Sequence, residues 1–358
     1  MKNHVDVLMV GSSTEVKGGM STVVQSFLKC RFAAPIKLDY IATHTEKGDF
    51  YNLLFFGKSL VQILFYLIWK NPRIVHMHMS ERGSFIRKYI IFNLAKTFRK
   101  KVIVHTHGAE FKEYYLNASP FIKKRISHLL RNADKVIVLG DSWAKTLEEI
   151  EPKINIAVLL NSVPIPIVEK ASSEKTTFTI LFLAVLIQRK GIMDLIEASV
   201  PVIREAHRQN KHIVFEIAGD GELMELTKQQ VARHGVKSSF QFHGWVGEQQ
   251  KIELLKKADL FVLPSYNEGL PVSILEALSY GIPVISTRVG SINEAVKEEE
   301  NGYLIEPGDI NALAEKMLAI MCSSDSYHMR LASRKLAEEK FSDEQYFRKM
   351  ENLYLYEI

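Results

Sequence analysis

Pro264-Ser-Tyr-Asn-Glu-Gly-Leu-Pro-Val-Ser-Ile-Leu-Glu-Ala-Leu-Ser-Tyr-Gly-Ile-Pro283 is the stretch whose reading decides the fold. The apolar run before it, Ala258-Asp-Leu-Phe-Val-Leu263, reads as a buried strand. Pro271 falls in the first turn of a helix, where a missing amide costs nothing. Gly281 closes that helix and Pro283 prevents its continuation. At about 100° per residue, Val272, Ile274, Leu275, Ala277 and Leu278 cover most directions, so the helix is expected to be buried. Glu276 sits on the same stripe as Val272 and Leu275, and a carboxylate there is costly unless something hydrogen-bonds it. Glu268 lies in the loop at the carboxyl end of the strand, the edge where open α/β sheets bind ligands.

Outward from this segment, strands and helices alternate. Val5–Val10 reads as a strand, and the loop Gly11-Ser-Ser-Thr-Glu-Val-Lys-Gly-Gly19 leads into a helix over Met20–Leu28. Ile74–Met79, Val102–His107 and Val136–Leu139 are further strands, the last preceded by a helix over Phe121–Asn132. The pattern resets at Asn161-Ser-Val-Pro-Ile-Pro-Ile167 and the polar run Glu169–Thr177, a linker. Phe178–Leu186, Ile213–Ala218, Phe240–Phe242, Leu260–Leu263 and Pro283–Ser286 then continue as strands, with a helix over Gly191–Glu205. Such alternation implies parallel sheets covered on both faces. A chain of 358 residues is long for one core, and two α/β halves joined by a proline-containing linker would leave a cleft between them.

Charge is unevenly placed. Residues 1–165 carry a net +11 and the remainder −6, within a total of +5. The basic first half suggests an anionic partner: membrane lipid, a phosphate-bearing acceptor or nucleic acid. One apolar stretch, Leu53–Trp69, is interrupted by Lys58, Ser59 and Gln62 and is short for a span of about 20 residues. It reads as a helix packed against a sheet, with an interfacial membrane contact as the other reading. Cys30 and Cys322 form no metal or redox motif, which fits a reducing cytoplasm. Met1–Gly11 contains Asp6 and runs straight into a strand, so no secretory leader is expected there.

Four groups of residues could carry chemistry. Lys17-Gly18-Gly19, between a strand and a helix, lets backbone amides approach an anion. No dinucleotide fingerprint or P-loop is present, which argues against a dinucleotide oxidoreductase and a P-loop NTPase. His76 and His78 end one strand, and His105 and His107 end another. Each pair projects to one side, so a zinc site with Glu110 as a further ligand or base can be drawn, as can a single functional histidine. Arg189 and Lys190, followed by Gly191 at a helix start, suit a diphosphate, and Gly219-Asp-Gly221 reads as a turn close to a ligand or the sheet. Glu268 and Glu276 form a pair in which one acid sits near a reacting group while the other grips hydroxyls.

These residues together resemble the retaining, nucleotide-sugar-dependent glycosyltransferases of family 4, over nearly the whole chain. The most specific part is Ser265-Tyr-Asn-Glu-Gly-Leu-Pro-Val-Ser-Ile-Leu-Glu-Ala277, the E-x7-E motif. His105-Thr-His-Gly108, Asn161-Ser-Val163, Lys190-Gly191, Gly219-Asp-Gly221 and Phe242-His-Gly-Trp-Val246 support it. The resemblance implies an α/β fold of the GT-B kind, with two Rossmann-like doubly wound domains facing a central cleft. Residues 1–165 would bind the acceptor and 166–340 the nucleotide sugar, and the helix 341–358 would cross back to the first domain.

The same resemblance implies roles. Glu276 would bind the ribose, whose hydroxyls would be the reason its burial is tolerated. Glu268 would contact the transferred sugar and His107 would hydrogen-bond it. Gly18, Gly19, Arg189 and Lys190 would hold the diphosphate, aided by the amides of Gly269 and Leu270. Gly219 would lie close to the donor, and Gly244, Trp245 and Val246 would pack against the base. The family's usual Gly-Arg is replaced here by Ala184-Val185, for which Arg189 is the nearest substitute. Charge develops on the leaving diphosphate, so pre-placed cations and amides favour the transition state. A donor phosphate oxygen would take the acceptor proton on the same face, giving retention, with closure about the linker excluding water. No catalytic metal or other cofactor is expected.

The implied function is transfer from a nucleoside-diphosphate sugar, UDP-linked by expectation, to a glycan or polyprenyl-diphosphate-linked acceptor in bacterial envelope polysaccharide synthesis. The place is the cytoplasm or the inner membrane face, with peripheral contact through the basic half and no nucleic acid. Two rival readings stand beside it: a metal-dependent hydrolase built on His76, His78, His105 and His107, and a non-catalytic protein that binds nucleotide sugar.

Overall fold

The structure, a computed structural model, describes residues 5–167, 177–323 and 326–358. Most of the polar run expected as linker over Glu169–Thr177 lies outside the described residues. Contacts divide the chain into two units, Met1–Asn161 with Asp343–Ile358, and Ser162–Ser342. The C-terminal helix Asp343–Tyr356 thus belongs to the first unit.

The first unit holds six parallel strands: β1 (Val5–Gly11), β2 (Ile36–Ala42), β3 (Ile74–Met79), β4 (Lys101–Thr106), β5 (Lys135–Val138) and β6 (Ile156–Val158), in the order β2-β1-β3-β4-β5-β6. Alternation along the strands sends Leu8, Val10, Val75, Met77, Val102 and Val104 to one face, packed on Phe85, Ile91, Phe92 and Leu129. The opposite face carries His76, His78 and His105, where Phe27 of helix Gly19–Lys29 and Tyr354 of the last helix cover it. Both faces of β1 and β3 are covered, so apart from Asp6, His76 and His78 their residues are apolar and nearly all buried.

The apolar stretch at Leu53–Trp69 lies in helix Asp49–Phe65, continued by a π-helical turn at Tyr66–Lys70. It packs beside β2 through one narrow stripe, Phe56, Ser59, Ile63 and Leu67, with the Ser59 hydroxyl donating to Ala42 O at 2.7 Å. The expectation of a helix packed on a sheet holds for that stripe alone; most of its other apolar residues are exposed.

The second unit repeats the architecture with β7 (Thr177–Leu183), β8 (His212–Ala218), β9 (Phe240–Gly244), β10 (Leu260–Leu263), β11 (Val284–Thr287) and β12 (Gly302–Ile305). Their order is β12-β11-β10-β7-β8-β9, all parallel. From β7 the chain first winds through β8 and β9, then returns to β10 on the other side. The order therefore reverses between β7 and β10, the position at which open α/β sheets form a crevice at their strand ends. Each unit is a doubly wound, Rossmann-like domain.

Candidate active site

The loops after β7 and β10 straddle that reversal. Gly191, at φ 69°, leaves no room for a side chain, because a Cβ there would collide with the Pro264 carbonyl oxygen. The two loops are tied further by Tyr266 N donating to Arg189 O at 2.8 Å. This close apposition carries Arg189 and Lys190 to Glu268. The Lys190 ammonium pairs with Glu268 Oε1, Ser265 Oγ donates to the same oxygen at 2.8 Å, and Arg189 Nη1 lies 3.9 Å from Oε2. The Arg189 guanidinium also donates to Asn267 O at 2.9 Å. Glu268 is buried, and its loop is backed by Gly290, whose missing side chain admits the Glu268 carbonyl. Residues 78 apart in sequence thus form one compact charged cluster.

Helix Val272–Ser279 follows, with Pro271 as its N-cap residue rather than inside its first turn, and Gly281 beyond its end at φ 68°. Glu276 does not face its apolar neighbours alone. Lys251, on helix Glu248–Lys257, places Nζ 2.5 Å from Glu276 Oε1 and 3.3 Å from Glu248 Oε2. The expectation that ribose hydroxyls are what makes Glu276 tolerable is corrected: a lysine of the same unit compensates the carboxylate. Burial pushes the Glu276 carboxyl above the usual carboxylate range while Lys251 pulls it down. Burial works to lower the Lys251 ammonium, but Glu276 and Glu248 hold it above the ordinary lysine value. Glu276 Oε2 keeps accepting capacity for a further donor.

Around this cluster, Gly244 ends β9 at φ 63° and accepts from Gly219 N at 2.8 Å, so the turns holding Gly219 and Trp245 are tied together. Trp245 is partly exposed and Leu270 is buried. Gly269 O accepts from Ser291 N at 2.8 Å, which fixes the loop between Glu268 and the helix. The Tyr266 hydroxyl bonds the Asp194 carboxylate, and burial raises the Asp194 carboxyl. Neither Lys251 nor Asp194 was expected from the sequence. Their partners lie 25 and 72 residues away, and no spacing rule links them.

The remaining expected residues belong to the first unit. Gly18 and Gly19, at the start of helix Gly19–Lys29, have open space where a side chain would stand, at least among the described residues. They follow β1, beside the point between β1 and β3 where this sheet also reverses order. His107 Nε2 lies 2.8 Å from His78 Nδ1, and His76 Nδ1 lies 2.6 Å from the Tyr354 hydroxyl. Burial lowers His76 and His107 to about 3, and depresses His78 and His105 well below the ordinary histidine value. All four imidazoles are neutral at pH 7.

Ring nitrogens of His76, His78 and His105 lie within 4.8 Å of one another. Their geometry is that of a stack, however. The His76 ring is 11° from parallel to His105 with centroids 5.5 Å apart, and 24° from His78 at 4.8 Å. His76 Nδ1 and His78 Nδ1 are moreover already engaged, by the Tyr354 hydroxyl and by His107. Glu110, drawn as a further ligand, is instead paired with Arg82 at 3.0 Å. The geometry does not favour the metal-hydrolase reading.

Comparisons with known proteins bear on what this site does. Residues 165–335 match the family described as glycosyl transferases group 1. The chain is 30% identical over 286 residues to a UDP-Gal:alpha-D-GlcNAc-diphosphoundecaprenol alpha-1,3-galactosyltransferase of Escherichia coli, covering 74% of this chain and 70% of that protein. It is 28% identical to WcaL of Escherichia coli K12, assigned to colanic acid biosynthesis, over 62% of this chain and 55% of that one. In fold it matches a sucrose-phosphate synthase from Thermosynechococcus elongatus with a TM-score of 0.80 at 17% identity, over 98% of both chains.

Proposed function

The chain belongs to the group 1 glycosyltransferases, and from that premise we propose that it moves a sugar, with retention, from a UDP-sugar to a lipid-linked glycan acceptor in bacterial envelope polysaccharide synthesis. The observation that carries this reading is the Arg189–Lys190–Glu268–Ser265 cluster at the strand reversal of the second unit. The galactosyltransferase relative, named for a UDP-sugar and a diphosphoundecaprenol acceptor, supports the choice of donor and acceptor class. Family 4 and hexosyl transfer belong to the same proposal.

In this reaction the bond between the sugar C1 and the diphosphate oxygen breaks, and its electron pair stays on the diphosphate. The acceptor oxygen bonds C1 on the same face, and its proton passes to the departing phosphate oxygen. Lys190 and Arg189 would balance the charge that grows on the diphosphate, the interaction that lowers the barrier most. Glu268 pairs with Lys190 and lies beside Arg189, and its carboxylate would face the positive charge developing on the sugar. Glu276 would accept from ribose hydroxyls through Oε2 while Lys251 engages Oε1. His107, Gly18 and Gly19 are assigned to the donor on the family resemblance alone. No metal enters the reaction.

The test is a panel of UDP-, GDP- and ADP-sugars scored by thermal shift, followed by transfer to polyprenyl-diphosphate-linked acceptors with analysis of the product anomer. Stabilisation by UDP-sugars and an α-product from an α-donor is the expected result. An inverted product, or no response to any nucleotide sugar, removes the proposal. Binding without transfer to any acceptor would favour the non-catalytic reading.

A further inference from the structure

Helix Asp49–Phe65 with its continuation to Lys70 is 22 residues long and apolar enough to cross a bilayer, yet only 22% of its most apolar window is buried. At about 100° per residue, the buried stripe Phe56, Ile63 and Leu67 faces one way. Leu54, Val61, Leu64, Phe65 and Ile68 fall on the opposite side, with Phe50 in line with them. They are exposed, Phe50 at 76% and Val61 at 68%. Gly57 is the one non-bulky position among them, and Lys58 stands about 20° round from Phe65, at the edge of that face. A helix packed by one stripe and apolar on the other leaves a contiguous greasy surface, which soluble monomers rarely present.

We propose that this outer face docks in the plane of an anionic phospholipid bilayer. Two observations select that occupant. First, the rim is basic. Among the exposed charges from Glu46 to Arg73, on the helix and within three residues of its ends, Lys47, Lys58, Lys70 and Arg73 outnumber Glu46 and Asp49. A second copy meeting this face would set the same basic rim against itself. Second, aromatic residues with polar edges flank the apolar face. Trp69, 65% exposed, stacks on Phe65 at 4.4 Å beside Lys70, and Tyr51 lies under the Lys47 ammonium at 5.4 Å. Trp and Tyr with neighbouring lysines suit the headgroup level of a membrane.

The packing decides the orientation. Because Ile63 and Leu67 are fully buried and Ser59 is bonded to β2, the helix lies against its own sheet, so it rests along the interface rather than crossing it. An open groove of about 590 Å³ runs along its flank between Lys58, Gln62 and Phe65 on one side and Tyr40 and Ile41 on the other. Its lining offers apolar wall and one ammonium, the pattern that fits a phospholipid's upper chain and headgroup. The docking face is carried by these observations and stands independently of the transfer reaction.

Vesicle co-sedimentation tests it, using phosphatidylcholine alone and phosphatidylcholine mixed with phosphatidylglycerol. The protein is compared with Leu54→Glu/Val61→Glu/Ile68→Glu and with Lys58→Glu/Lys70→Glu. All five positions are exposed, so the variants should keep the parent melting temperature and its nucleotide-sugar thermal shift. The expected result is binding to the phosphatidylglycerol vesicles that salt weakens, and a loss of at least roughly tenfold in both variants. Absence of vesicle binding, binding that the face variant leaves unchanged, or equal binding to both vesicle types overturns the proposal. So does a dimer that the face variant dissociates in a protein that ignores vesicles.

Discussion

Lys251 Nζ lies 2.5 Å from Glu276 Oε1, joining two helices of the second unit through an ion pair that is largely shielded from water. Removing one partner of such a pair costs more than the pair itself contributes, because the other charge is left stranded. Lys251→Met is therefore expected to destabilise the protein by about 1–3 kcal/mol, discounted for the residual exposure of both groups. The double variant Lys251→Met/Glu276→Leu should recover most of that loss. Urea unfolding of both variants checks this; a Lys251→Met protein as stable as the parent would show that the pair is idle.

Lys190 and Glu268 act as a unit, so their substitutions should not add. Lys190→Ala is expected to lower transfer by about 10²–10³. Glu268→Gln should cost a similar factor, and the double variant little more than either alone. Steady-state transfer rates across the four proteins measure the coupling.

Gly191 is required by the packing of two loops. Gly191→Ala places a methyl on the Pro264 carbonyl at a positive φ. The expected cost is about 1–3 kcal/mol with a larger loss of nucleotide-sugar affinity, since the loops that carry Lys190 and Glu268 must separate. Thermal melts with and without donor resolve the two effects.

The buried histidines set an acid limit. Their folded pKa values lie below the unfolded value of about 6.5, with His76 and His107 near 3. Between those values the unfolded chain binds more protons, so their stabilising effect is complete above pH 6.5 and is lost as pH falls toward 3. His105 has no hydrogen-bond partner for either ring nitrogen among the described residues. His105→Leu is expected to change stability at pH 7 by no more than about 1 kcal/mol and to reduce the loss between pH 6.5 and 4. Melting temperature as a function of pH provides the measurement.

Lys88 is a buried ammonium whose Nζ donates to Thr43 Oγ1 at 2.7 Å, and burial lowers it to about 7. The unfolded lysine holds its proton up to about 10.4, so the parent should gain stability as pH rises from 7 toward 10. Lys88→Met removes that slope and should be the more stable protein at pH 6, by up to several kcal/mol, with the difference shrinking in alkali. Parallel melts at pH 6 and pH 9.5 test the sign.

Much of the frame was legible from residue patterns. Ile74–Met79 and Leu260–Leu263 read as strands with the observed limits: Leu260–Leu263 is a continuous apolar run, as a strand covered on both faces should be, and Ile74–Met79 is apolar but for His76 and His78 on one face. β2, β6 and β12 were not anticipated. All three are edge strands: β2 mixes Lys37 and Asp39 into its apolar residues, β6 has three residues, and β12 opens on Gly302 and has only four. Lys58 and Gln62, on one side at helical spacing, marked the outward side of helix Asp49–Phe65, and both are exposed; that so many apolar residues share their side was not legible, since the inner face is apolar too.

The amino-acid sequence by itself determined the alternation of strands and helices, the two-unit organisation and the residue types at the loops after β7 and β10, because each is a local property of period and turn chemistry. Tertiary structure alone decided which distant charges meet: Lys190 with Glu268 and Lys251 with Glu276. Those pairs depend on where strand order reverses and on how closely neighbouring loops and helices approach, and both are fixed by the packing of the whole sheet.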